Sequence, residues 1–241
     1  VLVDYDLTTL NIDIKQVLKL VESVPIDAVL FAHTLGNPVD MDKLRVGLPL
    51  IEDCCEAAGT LVRGRSVGTF GDLGTFSFYP SHQITALGGG GMMVTNSASL
   101  ARRMKSMRDW GKVVTDGYVQ GETLTTYAGG YYPGYTYETV GFNLKLPDTN
   151  AAFGREQLKR LDGFSQQRRK HYEYLWEALW HLEWLHAPPV STTTISWFSY
   201  PLVLREGSRD AFGTYLEAAG IRHRPFFAGN ILRHPPFAHL G

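Results

Sequence analysis

Acidic and basic side chains follow two of the predicted strands, at the points where α/β proteins bind their ligands. Asp53 comes just after the apolar segment 48–51, and His33 ends the apolar run 28–32. The carboxyl ends of parallel strands form the usual binding edge of such sheets, and a carboxylate there can hold a proton on a pyridine nitrogen. By spacing alone, Asp53 equally fits a helix N-cap or a surface group, and His33 fits an ordinary turn.

His82 lies in a loop that follows the predicted strand 76–79, beside the hydroxyl of Ser81. An imidazole titrates near neutral pH, so a histidine at a strand end can act as a general base. The alternative is a structural histidine whose hydrogen bonds are satisfied. The glycines at 88–91 leave the backbone free to approach a ligand. They are not a dinucleotide-binding motif, because the helix and the acidic residue of that motif do not follow at the required distances.

Strands alternate with helices along much of the chain, which predicts an α/β protein with a mostly parallel sheet. Apolar residues at i, i+3, i+4 and i+7 from Ile14 predict an amphipathic helix that begins near Leu10. The predicted strands are residues 28–32, 48–51, 76–79, 92–95 and 197–204. The other predicted helices are residues 97–108, 148–161, 164–182 and a last one that runs from the N-cap Ser208 to Ala219.

The Gly- and Tyr-rich segment 115–137 has no helical period and predicts a long loop. Composition shifts after Pro188 and Pro189, and we place a domain boundary near residue 165. Residues 1–165 are predicted to form a large domain, and residues 166–241 a connecting helix and part of a smaller α+β domain. Both ends of the chain are abrupt, which predicts a fragment of a longer protein.

Composition excludes several classes of partner. The 241 residues include 23 Lys and Arg against 24 Asp and Glu, a balance that favours neither nucleic acid nor an anionic membrane. No apolar run approaches the roughly 20 residues that cross a bilayer, and no signal peptide opens the sequence, so we expect a cytoplasmic protein. The cysteines, Cys54 and Cys55, are adjacent, which suits neither a disulfide framework nor a metal site.

Seven segments closely resemble the sugar aminotransferase and nucleotide-sugar 3-dehydrase family (DegT/DnrJ/StrS type) of the fold-type-I, vitamin-B6-dependent enzymes. They are AHTLGNP (32–38), IEDCCEAAG (51–59), GTFGDLGT (68–75), FSFYPSH (76–82), RDWG (108–111), GFNLK (141–145) and FAGNILR (227–233). The resemblance runs nearly from end to end. It implies the aspartate-aminotransferase fold, a three-layer α/β/α domain followed by the start of a smaller α+β domain, and a homodimer with active sites at its interface.

The resemblance also implies roles for individual residues. Pyridoxal 5′-phosphate or pyridoxamine 5′-phosphate would be held by Asp53 at the pyridine nitrogen and by Ser77 at the phosphate, with Glu56 beside the ring. Asn143 would reach the phosphate in the neighbouring subunit. The implied substrate-binding residues are His33, Asn230 and Arg233. Arginines near the end of the chain suit phosphate groups and are equally common on ordinary surfaces.

A histidine stands where ordinary aminotransferases of this family carry the lysine that forms a Schiff base with the cofactor. His82 and the FAGN block at 227–230 resemble the 3-dehydrases, which remove the C3 hydroxyl of a nucleotide-linked 4-keto-6-deoxyhexose. The resemblance implies that His82 is the general base, that the cofactor is bound noncovalently, and that glutamate recycles it. Two alternatives stay open: a relative with transferase-like chemistry, and a catalytically inactive homologue that acts as a binding partner.

Some features depart from the family pattern. Certain 3-dehydrases bind an iron–sulfur cluster through loop cysteines, but residues 112–137 contain none, so no iron–sulfur cluster is expected. Gly89 stands where the family usually has a glutamate. The segment 41–50 is too short to contain the helix that normally precedes the Asp53 strand. The family's N-terminal part, with its phosphate-binding turn at a helix N-terminus, is not found in this sequence.

Overall fold

A computed structural model describes residues 1–114, 135–186 and 194–240 and divides the chain into two units. The first unit is Val1–His171 with Ser191–Phe198, and the second is Tyr172–Val190 with Ser199–Gly241. The domain boundary near residue 165 stays a prediction. The predicted loop 115–137 lies outside the described residues, apart from 135–137.

A four-stranded sheet forms the centre of the first unit. The described residues of both units contain eight strands, which in chain order are β1 (Val29–Ala32), β2 (Leu50–Asp53), β3 (Leu61–Val62), β4 (Arg65–Ser66), β5 (Leu73–Ser77), β6 (Gly91–Val94), β7 (Leu185–His186) and β8 (Val203–Leu204). Four of them form the central sheet. The sheet order is β1-β2-β5-β6, with β1, β2 and β5 parallel and β6 antiparallel to β5. Asp53 pairs with Ala32 on one side and Thr75 on the other, so the three parallel strands end at one edge. The expected α/β architecture with a mostly parallel sheet is confirmed.

The described residues form five α-helices. They are α1 (Ile14–Ser23), α2 (Ala98–Arg108), α3 (Asp148–Leu158), α4 (Leu161–Leu179) and α5 (Arg209–Ala218). The predicted N-cap of α5 is confirmed, because the Ser208 hydroxyl accepts the N–H of Ala211 at 3.3 Å. Within the described ranges, no helix combines the length and the apolar character needed to span a membrane.

Two predicted strands have different limits in the structure. The strand predicted over 76–79 is β5, which ends at Ser77 because the Ser77 hydroxyl accepts the N–H of Tyr79 and turns the chain away. The strand predicted over 197–204 is confined to β8. Trp197 and Phe198, which were predicted to begin this strand, instead accept hydrogen bonds from the guanidinium of Arg168 through their carbonyl oxygens.

Apolar side chains on α1, the sheet and the segment before β2 form the main core of the first unit. The buried members are Val17, Val29, Phe31, Val39 and Leu44.

The turn 68–71 lies very close to the backbone of β5. A Cβ atom at Gly74 would lie 2.4 Å from the carbonyl oxygen of Gly68, so only glycine at residue 74 lets this turn lie against the strand.

Helix α1 begins at Ile14, and the prediction of a start near Leu10 is wrong. Leu10 has a φ of 60°, outside the helical region. Asp13 has extended backbone, and its Oδ1 accepts the N–H groups of Lys15 at 2.9 Å and Gln16 at 3.3 Å. These N–H groups have no acceptor within the helix, so Asp13 fixes the position of the first turn.

Replacing Asp13 with alanine is expected to lower the free energy of unfolding by about 1 kcal/mol, the usual contribution of an N-cap. Asp13→Ser keeps an acceptor oxygen at the same position and should recover most of that loss. Urea unfolding of both variants measures the difference. An alanine variant as stable as the native protein would show that this cap contributes nothing.

Candidate active site

The sheet edge at which β1, β2 and β5 end carries Asp53 and Ser77. Asp53 is half-buried, and its Oδ1 accepts the N–H of Cys55 at 2.9 Å. Ser77 is also half-buried, and its hydroxyl accepts the N–H of Tyr79 at 3.2 Å. Because β2 and β5 are parallel with Asp53 opposite Thr75, the carboxylate and the hydroxyl stand at the same edge. The structure thus places two predicted cofactor contacts near each other, and their roles stay predictions.

His82 lies in a turn after β5, where its N–H donates to the carbonyl oxygen of Tyr79 at 3.0 Å. Its ring packs against Phe198, with centroids 5.4 Å apart and planes at 40°. Its Nδ1 atom is buried and has no hydrogen-bond partner among the described residues. Burial lowers the pKa of His82 below 6.5, although the charge of Asp53 acts in the opposite direction. The lowered pKa favours the neutral imidazole, which carries the lone pair that a general base needs.

Glu56 is a half-buried carboxyl group close to the same edge. Its Oε2 accepts the N–H of Leu35 at 2.9 Å. Burial raises the pKa of Glu56; the Leu35 N–H opposes that shift, and the charge of Asp53 adds to it. The structure therefore brings both Glu56 and His82 within electrostatic range of Asp53.

Gln83 is a contributor to this region that the sequence did not reveal. Its side chain is buried, and its Nε2 donates to the carbonyl oxygens of Glu56 and of Ser196, the latter at 3.4 Å. Gln83 thus ties the loop that carries His82 to two other segments of the first unit. A polar residue directly after His82 was visible in the sequence, but its two distant partners were not.

Glu52 precedes Asp53 on β2 and faces the opposite side of the sheet, as the pleat requires. It is fully buried. Its two oxygens accept three backbone N–H groups of the turn 68–71, from Gly68 at 2.7 Å, Phe70 at 2.7 Å and Gly71 at 2.5 Å. Burial alone would raise the pKa of Glu52, but hydrogen bonds from His33, Gly71 and Gly68 outweigh it and lower that pKa.

His33 supplies the fourth donor to Glu52. Its Nδ1 accepts the N–H of Val39 at 3.0 Å, so the ring proton is on Nε2, which donates to Glu52 at 2.9 Å. The side chain is 1% exposed, and neither nitrogen is open to a sugar. This arrangement indicates a structural role for His33 in place of the predicted substrate contact.

His33, Glu52 and Cys54 also place three possible metal-ligand atoms within 4.8 Å of one another. The nitrogen and the carboxylate already bind each other, and burial raises the pKa of the Cys54 thiol. A protonated thiol is a poor metal ligand. We interpret this group as a hydrogen-bonded cluster that holds β2 in place.

The remaining predicted site residues are exposed. Asn143, in the first unit, forms a backbone bridge with Asp109 and leaves its amide at the surface. In the second unit, the Asn230 side chain accepts the N–H of Leu232 at 2.9 Å, and Arg233 is exposed. Their contacts with cofactor and substrate stay predictions.

The chain is similar to one protein-family model and to several known proteins. The model of the DegT/DnrJ/EryC1/StrS aminotransferase family matches residues 1–241. The chain is 40% identical over 261 aligned positions to the lipopolysaccharide biosynthesis protein RfbH of Salmonella typhimurium. This alignment covers 100% of the chain and 59% of that protein. It is 39% identical to a dTDP-4-dehydro-2,6-dideoxy-D-glucose 3-dehydratase of Saccharopolyspora spinosa, over 87% of this chain and 49% of that protein.

Among solved structures, the chain resembles the E. coli GDP-4-keto-6-deoxy-D-mannose-3-dehydratase with bound hydrated PLP. The TM-score is 0.85 at 30% sequence identity, over 98% of this chain and 62% of that chain. The chain therefore spans about three fifths of the length of this structure, and a similar or smaller share of the two curated relatives.

Proposed function

Since this chain belongs to the DegT/DnrJ/EryC1/StrS aminotransferase family, we propose that its protein is a 3-dehydrase of nucleotide-linked sugars. It would use pyridoxal or pyridoxamine 5′-phosphate to remove the C3 hydroxyl of a 4-keto-6-deoxyhexose. The observation that carries this proposal is His82, which feels the charge of Asp53 and lies in a loop, residues 78–90, that contains no lysine. A histidine can move a proton but cannot form the covalent bond to the cofactor that a lysine forms.

The residues at the sheet edge fit this cofactor. The half-buried carboxylate of Asp53 suits a protonated pyridine nitrogen, and the hydroxyl of Ser77 suits a phosphate oxygen. The buried Nδ1 of His82 has no partner among the described residues, which costs about 1–3 kcal/mol when such an atom stays unpaired. A ligand at this edge would relieve that cost. When bound, the cofactor supplies an amine and an electron-withdrawing ring.

Each side chain would then have a separate task. Asp53 would keep the pyridine nitrogen protonated through its negative charge. His82 would accept a proton on a ring nitrogen and hold it away from water, since one side of its ring is covered by Phe198. Glu56 would border the cofactor ring; burial and the charge of nearby Asp53 raise its pKa.

The proposal includes a homodimer, with Asn143 directed to the cofactor phosphate of the neighbouring subunit. Asn143 is exposed, and its backbone is fixed by the bridge to Asp109, which suits a contact with another chain. Asn230 and Arg233 would contact the nucleotide sugar, and glutamate would be the amino donor that restores the cofactor. Arginine suits phosphate groups because its planar guanidinium can donate two parallel hydrogen bonds.

Product mass tests this function directly. The full-length gene product is incubated with pyridoxal phosphate, glutamate and a nucleotide-linked 4-keto-6-deoxyhexose, and the sugar product is analysed by mass spectrometry. We expect a product that has lost one oxygen and gained no nitrogen, while glutamate is oxidised to 2-oxoglutarate.

Two other results would contradict the proposal. A product that has gained an amine would identify a transferase, with a lysine elsewhere acting in place of His82. A substrate left unchanged with several different nucleotides, although the cofactor binds, would identify the protein as a non-catalytic relative.

A further inference from the structure

Phe198 lies beside His82 although the two residues are far apart in the sequence. Their rings contact at a centroid distance of 5.4 Å, and the planes meet at 40°. The buried Nδ1 of His82 has no hydrogen-bond partner in the described part of the chain. A carboxylate or carbonyl group commonly orients a catalytic imidazole through this nitrogen, whereas the contact described for the His82 ring is with an aromatic side chain. This contact is the starting point for an inference that rests on the proposed function.

We propose that Phe198 is a positioning residue for His82, which holds the imidazole in one orientation and covers one side of it from water. A ring face is well suited to this task, because aromatic pairs prefer a limited set of tilted and offset geometries. It also offers no strong acceptor that would compete with a ligand for the ring nitrogens of His82.

Phe198 is itself firmly held through its backbone. Its N–H donates to the carbonyl oxygen of Leu35 at 2.9 Å. The Nη1 atom of Arg168 donates to the carbonyl oxygens of Trp197 at 3.1 Å and of Phe198 at 3.0 Å. Three hydrogen bonds at two consecutive peptide groups fix the direction in which the Phe198 side chain leaves the chain.

The loop of His82 is attached to the same segment on its other side. Gln83 donates to the carbonyl oxygen of Ser196, and the Ser196 N–H donates to the Thr60 hydroxyl at 3.0 Å. The Ser196 hydroxyl also accepts a hydrogen bond from Ser165 at 3.0 Å. Consecutive loop residues, His82 and Gln83, therefore contact one short, well-anchored segment. A movement of either would change the position of the imidazole relative to Asp53.

The electrostatic consequence has a definite sign. Among the described residues, Asp53 is the charged group that acts on the imidazole, and Arg168 is the charged group that contacts Phe198. Glu56 is linked to this region through its carbonyl oxygen, which accepts from Gln83. Burial lowers the pKa of His82, and Asp53 opposes that effect. Removing the covering ring would admit water, weaken the effect of burial and leave that of Asp53, so the pKa of His82 would rise. More imidazole would then be protonated at pH 7, and less would be available as a base.

The test measures His82 directly in the full-length protein. Histidine labelled with ¹³C is incorporated, the signal of His82 among the eight histidines of the chain is assigned by its loss in His82→Asn, and its pKa is determined by NMR titration. Phe198→Leu removes the ring face and keeps an apolar side chain. Phe198→Tyr keeps the ring. Phe212→Leu is the matched control, since it removes a ring that contacts Trp184 in the second unit.

We expect the His82 titration to move to higher pH in Phe198→Leu and to stay at its native position in Phe198→Tyr and Phe212→Leu. With substrate, Phe198→Leu should lower kcat by about 10- to 100-fold, the scale of misplacing a catalytic group, and change KM less. An unchanged His82 titration in Phe198→Leu would overturn the proposal. Phe198→Met provides the same comparison if the leucine variant does not fold. Because the titration needs no turnover, it is independent of whether the product assay supports 3-dehydrase activity.

Discussion

Replacing His82 with asparagine is expected to lower the rate of C3 deoxygenation by about 10²- to 10⁴-fold, the usual contribution of a positioned general base. Asparagine is similar in size and polarity but does not titrate, so the proposed cofactor contacts at Asp53 and Ser77 should persist. The measurement is the single-turnover rate of product formation, with the absorbance of bound cofactor followed in parallel. Loss of turnover with retained cofactor absorbance would assign the effect to proton transfer.

The pH dependence provides a second test of His82. Burial lowers the pKa of His82 below 6.5, and the base form is the neutral one. The rate should therefore be constant through neutral pH and fall only as the pH drops through the lowered pKa. His171→Asn makes the same substitution at an exposed histidine on α4 and should leave the profile unchanged. A His82→Asn variant with native turnover would exclude His82 as the base.

Replacing Glu52 with glutamine is expected to lower the free energy of unfolding by about 1–3 kcal/mol for each buried donor that is left without an acceptor. The amide NH₂ group would face N–H donors, because every described partner of the Glu52 side chain is a donor. When two donors point at each other in a buried site, neither of them has an acceptor. Urea unfolding at pH 7 measures the loss.

The same variant has a predictable pH signature. Because the folded state lowers the pKa of Glu52 from 4.5, the charged carboxylate stabilises the protein fully above that pH. This stabilisation is lost as the pH falls through the lower folded-state pKa. The difference between native protein and Glu52→Gln should therefore be constant at neutral pH and narrow in acid. Glu173→Gln, at an exposed position of α4, serves as the control. Equal stability of native protein and Glu52→Gln would show that the hydrogen bonds to the turn 68–71 contribute little.

Local sequence patterns were sufficient to predict much of the fold. Apolar runs gave β1 and β2, helical periodicity gave α1, and a serine before a helical stretch gave the start of α5. Parallel strands end at a common edge, so topology predicted a ligand site where Asp53 follows β2, whereas Ser77 was assigned to that site only through the family resemblance. Boundaries were less accurate, because they depend on hydrogen bonds of single side chains such as Asp13 and Ser77.

The parts of the site that the sequence did not reveal depend on contacts between distant segments. No local pattern places Phe198 against His82 or Gln83 against Ser196. Glu52 and Asp53 are adjacent acidic residues, and only the register of β2 decides which one is buried. The family resemblance implied that His33, at the end of a strand, binds substrate, yet it is buried against Glu52. Position at a strand end does not specify which side of the sheet a side chain faces.

The two acidic residues at the end of β2 also determine how this site can be transplanted by protein engineering. Asp53 presents its carboxylate at the edge of the sheet. The carboxylate of Glu52 lies on the opposite side and accepts hydrogen bonds from the turn 68–71. A recipient scaffold that received β2 alone would acquire the carboxylate of Asp53 at the sheet edge. It would also acquire the buried carboxylate of Glu52 without its hydrogen-bond donors. The smallest transferable module is therefore β2 with its turn and the glycine at 74 that allows the turn to approach β5. A graft that exchanged the order of the two acidic residues would bury the group intended for the ligand.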